Sequence, residues 1–425
     1  MTPPDEGFVV EPLATAPDVT VQVPGSKSLT NRALVCAAMA EGTSILEGAL
    51  RADDTEAMIG ALGALGIRVA GQGSTLTVEG AGGGMPAGPV LLDARLSGTT
   101  ARFLAPLVAT GAGPYRLDAA PPMRARPMGP LVDSLRTLGA EVVEEGEPRC
   151  LPLVIGGGAK GGRVELPGHV SSQFLSGLLL AGPLFPEGID VTLTSALVSV
   201  PYVEMTRWVM RSFGVAVDGT HVPPGTYAAT RYAIEPDATA ASYFLAAAAI
   251  TGGRVTVRGL HQESLQGDVR FADVLARMGA RVEWRTEGVT VTGPPPGGLH
   301  GVTVDLADLS DTAQTLAAAA AFATGPTTIT GIGFIRRKET DRIADTVREL
   351  QRAGIDATED HDGFTVRPRA GRIPQPARIQ TYDDHRMAMS FALLGLVAPG
   401  IEILDPGCVA KTYPDFFADL DQLHQ

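Results

Sequence analysis

Small polar and cationic residues crowd into "PGSKSLTNRAL", residues 24–34. Ser26, Lys27, Ser28, Thr30, Asn31 and Arg32 follow a Pro-Gly turn and precede the apolar "ALVCAAMA". The preceding "VTVQV" alternates as a strand does, so the segment reads as a strand-to-helix turn. The first N–H groups of a helix lack intrahelical partners and carry partial positive charge. Such a turn can therefore cap itself with serine or receive an anion. Two further segments repeat the device: "LSGTTARFLAPL" with Gly98, Thr99, Thr100 and Arg102, and "HVSSQFLSGLLLAG" with Ser171, Ser172 and Gln173. One alone reads as a cap. Three feeding successive helices point to anion sites.

A second cationic cluster is "IRRKETDRIADTVRELQRAG". Its helix is expected to begin near Glu339–Thr340, with Ile343, Val347 and Leu350 on one face. A solvated charged helix start accounts for Arg337 and Asp341. "YDDHRMAM" adds Arg386 and "AKTYP" adds Lys411, while His385 by itself reads as structural. Nucleotide motifs fail. In "PGSKS" the residue before Lys27 is Ser26, not the Gly of a P-loop, and "GGGAKG" at 156–161 leads into the strand-like "GRVELPG" instead of a helix. No His, Cys and carboxylate set has metal-ligand spacing, so no metal site is expected.

These segments need a large scaffold. At 425 residues the chain exceeds one ordinary core. Its formal net charge of −13 argues against nucleic acid as a partner, which makes any cluster of cations informative. Cys36, Cys150 and Cys408 stand apart, as in a reducing compartment. No apolar run reaches the roughly 18 residues a membrane span needs. The stretch "MTPPDEGFVVEPL" lacks the basic start of a leader, so a cytoplasmic protein is expected. One phrase recurs: "LGALGIRV", "LRTLGAEV", "MRSFGVAV", "LARMGARV", "LQRAGIDA". Each ends an amphipathic helix at a glycine (66, 139, 214, 279, 354) suited to the left-handed C-terminal position. Alternating strands such as "STLTVEG" and "EGVTVTG" follow. With a partial sixth copy at "DFFADLDQLHQ", the expectation is three strand-helix units in each of two domains. The joints fall at Pro24 and "EPDATA", so one domain comes from the middle of the chain and one from its ends.

Taken together, these segments resemble the EPSP synthase (3-phosphoshikimate 1-carboxyvinyltransferase) family. The matching pieces include "PGSKSLTNRAL", "SGTTARF", "RPMGPLVDSLRTLGA", "SSQFLSGLL", "LVSVPYVEMT", "EPDATAASYFLAAAA", "QGDVRFADVLARMGA", "DLSDTAQTLAAAAAFATG", "RRKETDRI", "YDDHRMAMSFALLGL" and "DPGCVAKTYPDFF", in family order over nearly the whole chain. The resemblance implies an α/β fold of two domains, each of three βαβαββ-type units with helices inside and sheets outside, an inside-out α/β barrel. Residues 24–236 would be the shikimate 3-phosphate side and residues 1–23 with 237–425 the phosphoenolpyruvate side, with the active site in the cleft between.

It also implies transfer of the enolpyruvyl group of phosphoenolpyruvate to the 5-hydroxyl of shikimate 3-phosphate, by addition then elimination, with no cofactor. Ser28 and Arg32 would hold the shikimate carboxylate. Ser171 and Ser172 would hold its 3-phosphate, with Ser199, Gln173 and Tyr202 in the same pocket. Lys27, Gly98, Arg126, Gln173, Arg342, Arg386 and Lys411 would surround phosphoenolpyruvate. Lys27, Asp311 and Glu339 would be catalytic, with Lys338 beside Asp311. The partners would be these two small anions, for a monomer that binds neither nucleic acid nor membrane. The chain departs from the family at Leu96 and Phe334, where Asn is common, and at Phe103, where Pro is common. Two other readings are UDP-N-acetylglucosamine enolpyruvyl transferase, which uses a loop cysteine that this chain lacks near "PPMRARP", and a non-catalytic anion-binding protein of the same fold.

Overall fold

Six helices begin where the sequence gathers its small polar residues. They are α1 (Lys27–Met39), α2 (Gly98–Ala109), α3 (Ser172–Ala181), α4 (Ala238–Thr251), α5 (Ala313–Ala320) and α6 (His385–Gly395). The computed structural model describes residues 7–369 and 371–425; the first six residues, part of the stretch read above for a leader, lie outside the described residues. Ser26, Ser97, Ser171, Asp237 and Asp384 each accept a hydrogen bond from a backbone N–H two or three residues on, and so cap α1, α2, α3, α4 and α6. α5 is entered through a 3-10 turn, Ser310–Thr312.

These helices are apolar on nearly every side. α4 reads "ATAASYFLAAAAIT" and buries every residue but Thr251. A helix without a polar face has to be covered all round. Strands do the covering, and several bury alternate residues: Thr75–Glu79 turns Leu76 and Val78 inward and leaves Thr75 and Glu79 in water. Helices therefore lie inside and sheets outside. No described helix is long and apolar enough to cross a membrane.

The chain divides into two compact units, Gly25–Glu235 and the residues up to Pro24 with Pro236–Gln425. In the first, α1, α2 and α3 pack on one another. Around them, strand 43–47 pairs with 231–233 and 75–79, 112–118 with 90–93 and 153–157, and 189–193 with 162–166 and 221–222. In the second, α4, α5 and α6 pack together. There strand 254–258 pairs with 18–21 and 288–292, 327–330 with 303–305 and 364–367, and 401–403 with 377–379 and 8–10. Each of these six sheets holds one parallel pair and at least one antiparallel neighbour. Among the described residues the sheets stay separate, so neither unit closes into a hydrogen-bonded barrel.

All five glycines of the recurring phrase adopt φ between 76° and 105°, where a Cβ would be strained. The cationic segment departs from its expected start. Gly333–Arg337 is a 3-10 turn and the helix runs Ala344–Arg352, not from Glu339–Thr340. Asp341 causes the delay: its carboxylate accepts from the N–H groups of Ile343 at 3.1 Å and Ala344 at 3.0 Å, so it caps the helix and is no solvated bystander.

Tight crossing of α2 and α3 generates a stability test. A Cβ on Gly177 would lie 2.2 Å from the backbone oxygen of Arg102. Alanine in a helix is ordinarily worth about 1 kcal/mol over glycine. Here a backbone atom must move, and overpacking of about 1–3 kcal/mol outweighs that gain. Gly177→Ala should lower the urea midpoint and the Tm; a rise in either would show that the crossing is slack.

Candidate active site

Lys27 is the first residue of α1, and it is largely withdrawn from solvent. Its side chain is 15 % exposed and its Nζ lies 3.1 Å from Oδ2 of Asp54, itself 4 % exposed at the start of helix Asp53–Ala64. One turn on, Arg32 is buried. Its Nε donates to Thr206 Oγ1 at 2.8 Å, its Nη1 to the Ser28 carbonyl at 2.9 Å, and its Nη2 to the Tyr202 carbonyl at 3.0 Å and Ser176 Oγ at 3.3 Å. These oxygens are all neutral. Burial without a carboxylate brings the guanidinium pKa down to about 10, with Tyr202 and Cys36 acting in the opposite direction. Phe103, where the family commonly has proline, is buried with its ring 5.2 Å from the Arg32 guanidinium carbon.

The three polar helix starts of this unit are stitched together. Thr100 Oγ1 donates to the Asp54 carbonyl at 3.4 Å, joining α2 to Lys27's partner. Arg102 reaches from α2 to α3, donating to Gln173 Oε1 at 2.8 Å and Ser171 Oγ at 3.5 Å, and its other Nη donates to the Pro127 carbonyl at 3.3 Å. That last bond steadies the loop carrying Arg126. Gly98 opens α2 against the buried Arg126: a Cβ there would meet Arg126 Nη1 at 3.1 Å and Cζ at 3.2 Å. Ser172 is buried at the start of α3, and Leu96 is half-buried just before the Ser97 cap. Ser199 is buried at φ 53°, a left-handed conformation a serine adopts at a cost, directly before helix Val200–Ser212 that carries Tyr202.

In the other unit, Arg342 organises the site. It is 2 % exposed and binds Asp384 with Nε at 2.7 Å and Nη2 at 3.2 Å, Asp311 Oδ1 with Nη1 at 3.1 Å, and Glu339 Oε2 with Nη2 at 2.7 Å. Burial works to discharge it, but the carboxylates of Asp384, Glu339 and Asp311 more than reverse this and raise its pKa. Arg386, on the first turn of α6, donates to Asp311 Oδ2 at 2.6 Å. Lys411 is buried, with Nζ 4.0 Å from Glu339 Oε1. Asp311, Glu339, Arg342, Arg386 and Lys411 thus form one network. Lys338 is half-buried at the end of the 3-10 turn, and Phe334 packs against the hydrophobic core, so it offers no polar contact.

Asp54 and Asp384 are not among the residues singled out from the sequence, and Arg102 is named there only as part of a polar helix start, yet each has a signal. Asp54 stands in the acidic pair that opens a helix, Arg102 in the "SGTTARF" helix start, and Asp384 directly before Arg386. What the arrangement can do is chemical: three carboxylates, Asp311, Glu339 and Asp384, share one guanidinium, within a set of cations fit to hold phosphate and carboxylate groups.

Comparison with known proteins agrees on one family. The model for EPSP synthase (3-phosphoshikimate 1-carboxyvinyltransferase) matches residues 15–420. A 3-phosphoshikimate 1-carboxyvinyltransferase of Nostoc punctiforme is 46 % identical over 415 residues, covering 96 % of each chain. One from Erwinia tasmaniensis is 42 % identical, covering 98 % of this chain and 99 % of its own. Among solved structures, EPSP synthase from Acinetobacter baumannii superposes with a TM-score of 0.82 at 29 % identity, covering 98 % of both chains.

The Arg342 network makes a stability prediction. Asp384→Ala removes the most buried of its carboxylates and the cap of α6 together. Breaking a buried ion pair from one side costs about 3–5 kcal/mol. Urea unfolding should show a loss of that size; a loss under ~1 kcal/mol would mean Asp311 and Glu339 suffice to hold the guanidinium.

Proposed function

We propose roles for these residues from one premise: the chain belongs to the EPSP synthase family. It transfers the enolpyruvyl group of phosphoenolpyruvate to the 5-hydroxyl of shikimate 3-phosphate, releasing phosphate, in the shikimate pathway to aromatic amino acids. The observation that carries the assignment of roles is Arg342 gripping Asp311 with one end of its fork and Glu339 with the other.

Arg32 and Ser28 hold the shikimate carboxylate. Arg32 suits the part because its charge is buried among neutral oxygens, where an anion is a net gain. Ser171 and Ser172, at the N-terminus of α3, hold the 3-phosphate, with Gln173, Ser199 and Tyr202 lining the same position. Lys27, Gly98, Arg126, Gln173, Arg342, Arg386 and Lys411 serve phosphoenolpyruvate. Lys338 neighbours the attacking hydroxyl. Both substrates are small soluble anions, so a cytoplasmic monomer with neither metal nor nucleic acid meets the chemistry.

In the addition step Glu339 delivers a proton to the methylene carbon, Asp311 takes the proton of the 5-hydroxyl, and its oxygen bonds to C2. Lys27 and the arginines stabilise the charge that develops at the phosphate. Elimination runs the same groups in reverse: Glu339 recovers a proton from the new methyl, the C2–O bond to phosphate breaks, and the enol ether forms. Phosphate release from phosphoenolpyruvate should require shikimate 3-phosphate. Release driven by UDP-N-acetylglucosamine, or none with either acceptor, would overturn the assignment.

Asp311→Ala and Glu339→Gln should each lower kcat by roughly 10²–10⁴ and leave KM little changed. A change confined to KM would make them binding groups only. Lys27→Met should lose kcat on the same scale and also some stability, because Asp54 loses its partner. Unaltered turnover in that variant would remove Lys27 from the mechanism.

Glyphosate, with a carboxylate and a phosphonate, should compete with phosphoenolpyruvate for the Gly98 and Arg126 position. It has one more chain atom between its end groups and so needs more room. Gly98→Ala would displace the Arg126 guanidinium by a few tenths of an ångström, and should weaken glyphosate more than phosphoenolpyruvate. Inhibition that does not relax as phosphoenolpyruvate rises would mean the two do not share this position.

A further inference from the structure

Strand Ala377–Ile379 leads into α6 through a turn, closed by the Asp384 N–H donating to the Thr381 carbonyl at 2.9 Å. Its central residues, Tyr382 and Asp383, both have positive φ, 54° and 56°. Turns of that kind ordinarily take Asn or Gly there, because a bulky side chain crowds its own backbone. An aromatic residue at the first central position is therefore held against a local cost. The turn delivers two groups of the site: Asp384, which binds Arg342, and Arg386, which donates to Asp311 Oδ2 at 2.6 Å.

A carboxylate from another stretch of chain holds the turn. Glu349, on helix Ala344–Arg352, is fully buried. Its Oε1 accepts from the Tyr382 hydroxyl at 2.6 Å, and its Oε2 accepts from the Gln380 N–H at 3.0 Å. Oε2 also pairs with Arg352 Nε at 3.0 Å, so both oxygens are engaged. A buried carboxylate is costly unless it is bonded in this way. The same helix adds two lighter contacts. The Arg348 guanidinium carbon lies 5.7 Å from the Tyr382 ring, and Thr346 Oγ1 donates to the Met387 sulfur at 3.5 Å. Neither Gln380 nor Tyr382 is among the residues assigned to substrates.

We propose that Glu349 is a positioning residue for Arg386: by tying Gln380 and Tyr382 to its helix it holds the left-handed turn that aims Arg386, and so sets affinity for phosphoenolpyruvate. The proposal rests on Arg386 serving that substrate. Arg342 and Asp384 anchor the segment on one side of the turn, and Glu349 anchors it on the other. With Glu349 or the Tyr382 hydroxyl removed, nothing offsets the cost of positive φ at Tyr382. The turn then relaxes, and the first turn of α6 with Arg386 moves with it. Shikimate 3-phosphate, held by Arg32, Ser171 and Ser172, does not depend on this segment.

The test is KM for each substrate, read by phosphate release. Tyr382→Phe, which removes one hydroxyl, should raise KM for phosphoenolpyruvate about tenfold and leave KM for shikimate 3-phosphate unchanged. Glu349→Leu removes both grips and should raise it further; if that variant does not fold, Tyr382→Phe carries the test alone. Glu349→Gln should recover most of the affinity, because its oxygen can accept from the Gln380 N–H while its amide donates to the Tyr382 hydroxyl. A merely structural role would lower Tm and the folded fraction without favouring one substrate's KM. Unchanged KM for phosphoenolpyruvate in Tyr382→Phe, or an equal rise for both substrates, overturns the proposal. So does a Glu349→Gln variant no better than Glu349→Leu. Arg386→Ala separates the two readings. If it leaves KM for phosphoenolpyruvate unchanged, the role of Arg386 fails and this proposal with it. If it raises that KM while Tyr382→Phe does not, only the role of Glu349 fails.

Discussion

Taking a guanidinium out of water is costly, and the unit built on α4, α5 and α6 is arranged so that Arg342 is never without carboxylates. Asp384 at the cap of α6, Asp311 before α5 and Glu339 after a 3-10 turn come from three separate stretches of chain, and all converge on its donors. A planar fork can do this where an ammonium cannot, because its donors point in fixed and different directions. The same contact that neutralises the charge also orients the two carboxylates assigned to proton transfer. Structure and chemistry therefore share one interaction, and α6, Arg386 and the Glu339 segment depend on it for their placement.

The unit built on α1, α2 and α3 uses the same helices-inside plan with a different electrostatic solution. Its buried Arg32 is met by hydroxyl and carbonyl oxygens, which carry no formal charge to offset its own. Lys27 is paired with Asp54, and Arg102 is committed to joining α2 with α3. The acidic chain thus sets the buried Arg32 among neutral oxygens in one unit and builds a pre-neutralised network in the other. That difference is what the proposed roles require, an anion held in one unit and protons moved in the other.

Backbone strain marks the same places. Ser199, before the Tyr202 helix, and the consecutive Tyr382 and Asp383, at φ 54° and 56°, are left-handed without being glycine. The second case directly precedes Asp384 and Arg386. Buried Glu349 holds it, accepting from the Gln380 N–H at 3.0 Å and the Tyr382 hydroxyl at 2.6 Å. A turn that costs energy is retained where it aims an aspartate and an arginine at one guanidinium and one carboxylate.

Much of this was legible along the chain, because local backbone preference is written locally. The glycines of the recurring phrase mark helix ends, since other residues are strained at their φ, and an alternating stretch such as 75–79 is a strand because one of its faces is wet. Serines at helix starts were readable as caps for the same reason. The start of the cationic helix was misread because Asp341's side chain outcompetes the helical hydrogen bonds of the residues just before it. The pairings were not readable at all. Arg32 meets Thr206 across 174 residues of chain, and Arg386 meets Asp311 across 75. Residue type says that Arg102 or Asp268 can bond or ionise. Only packing decides which charge stands opposite, how much water is left between, and so whether a polar residue is a cap, a brace or a base.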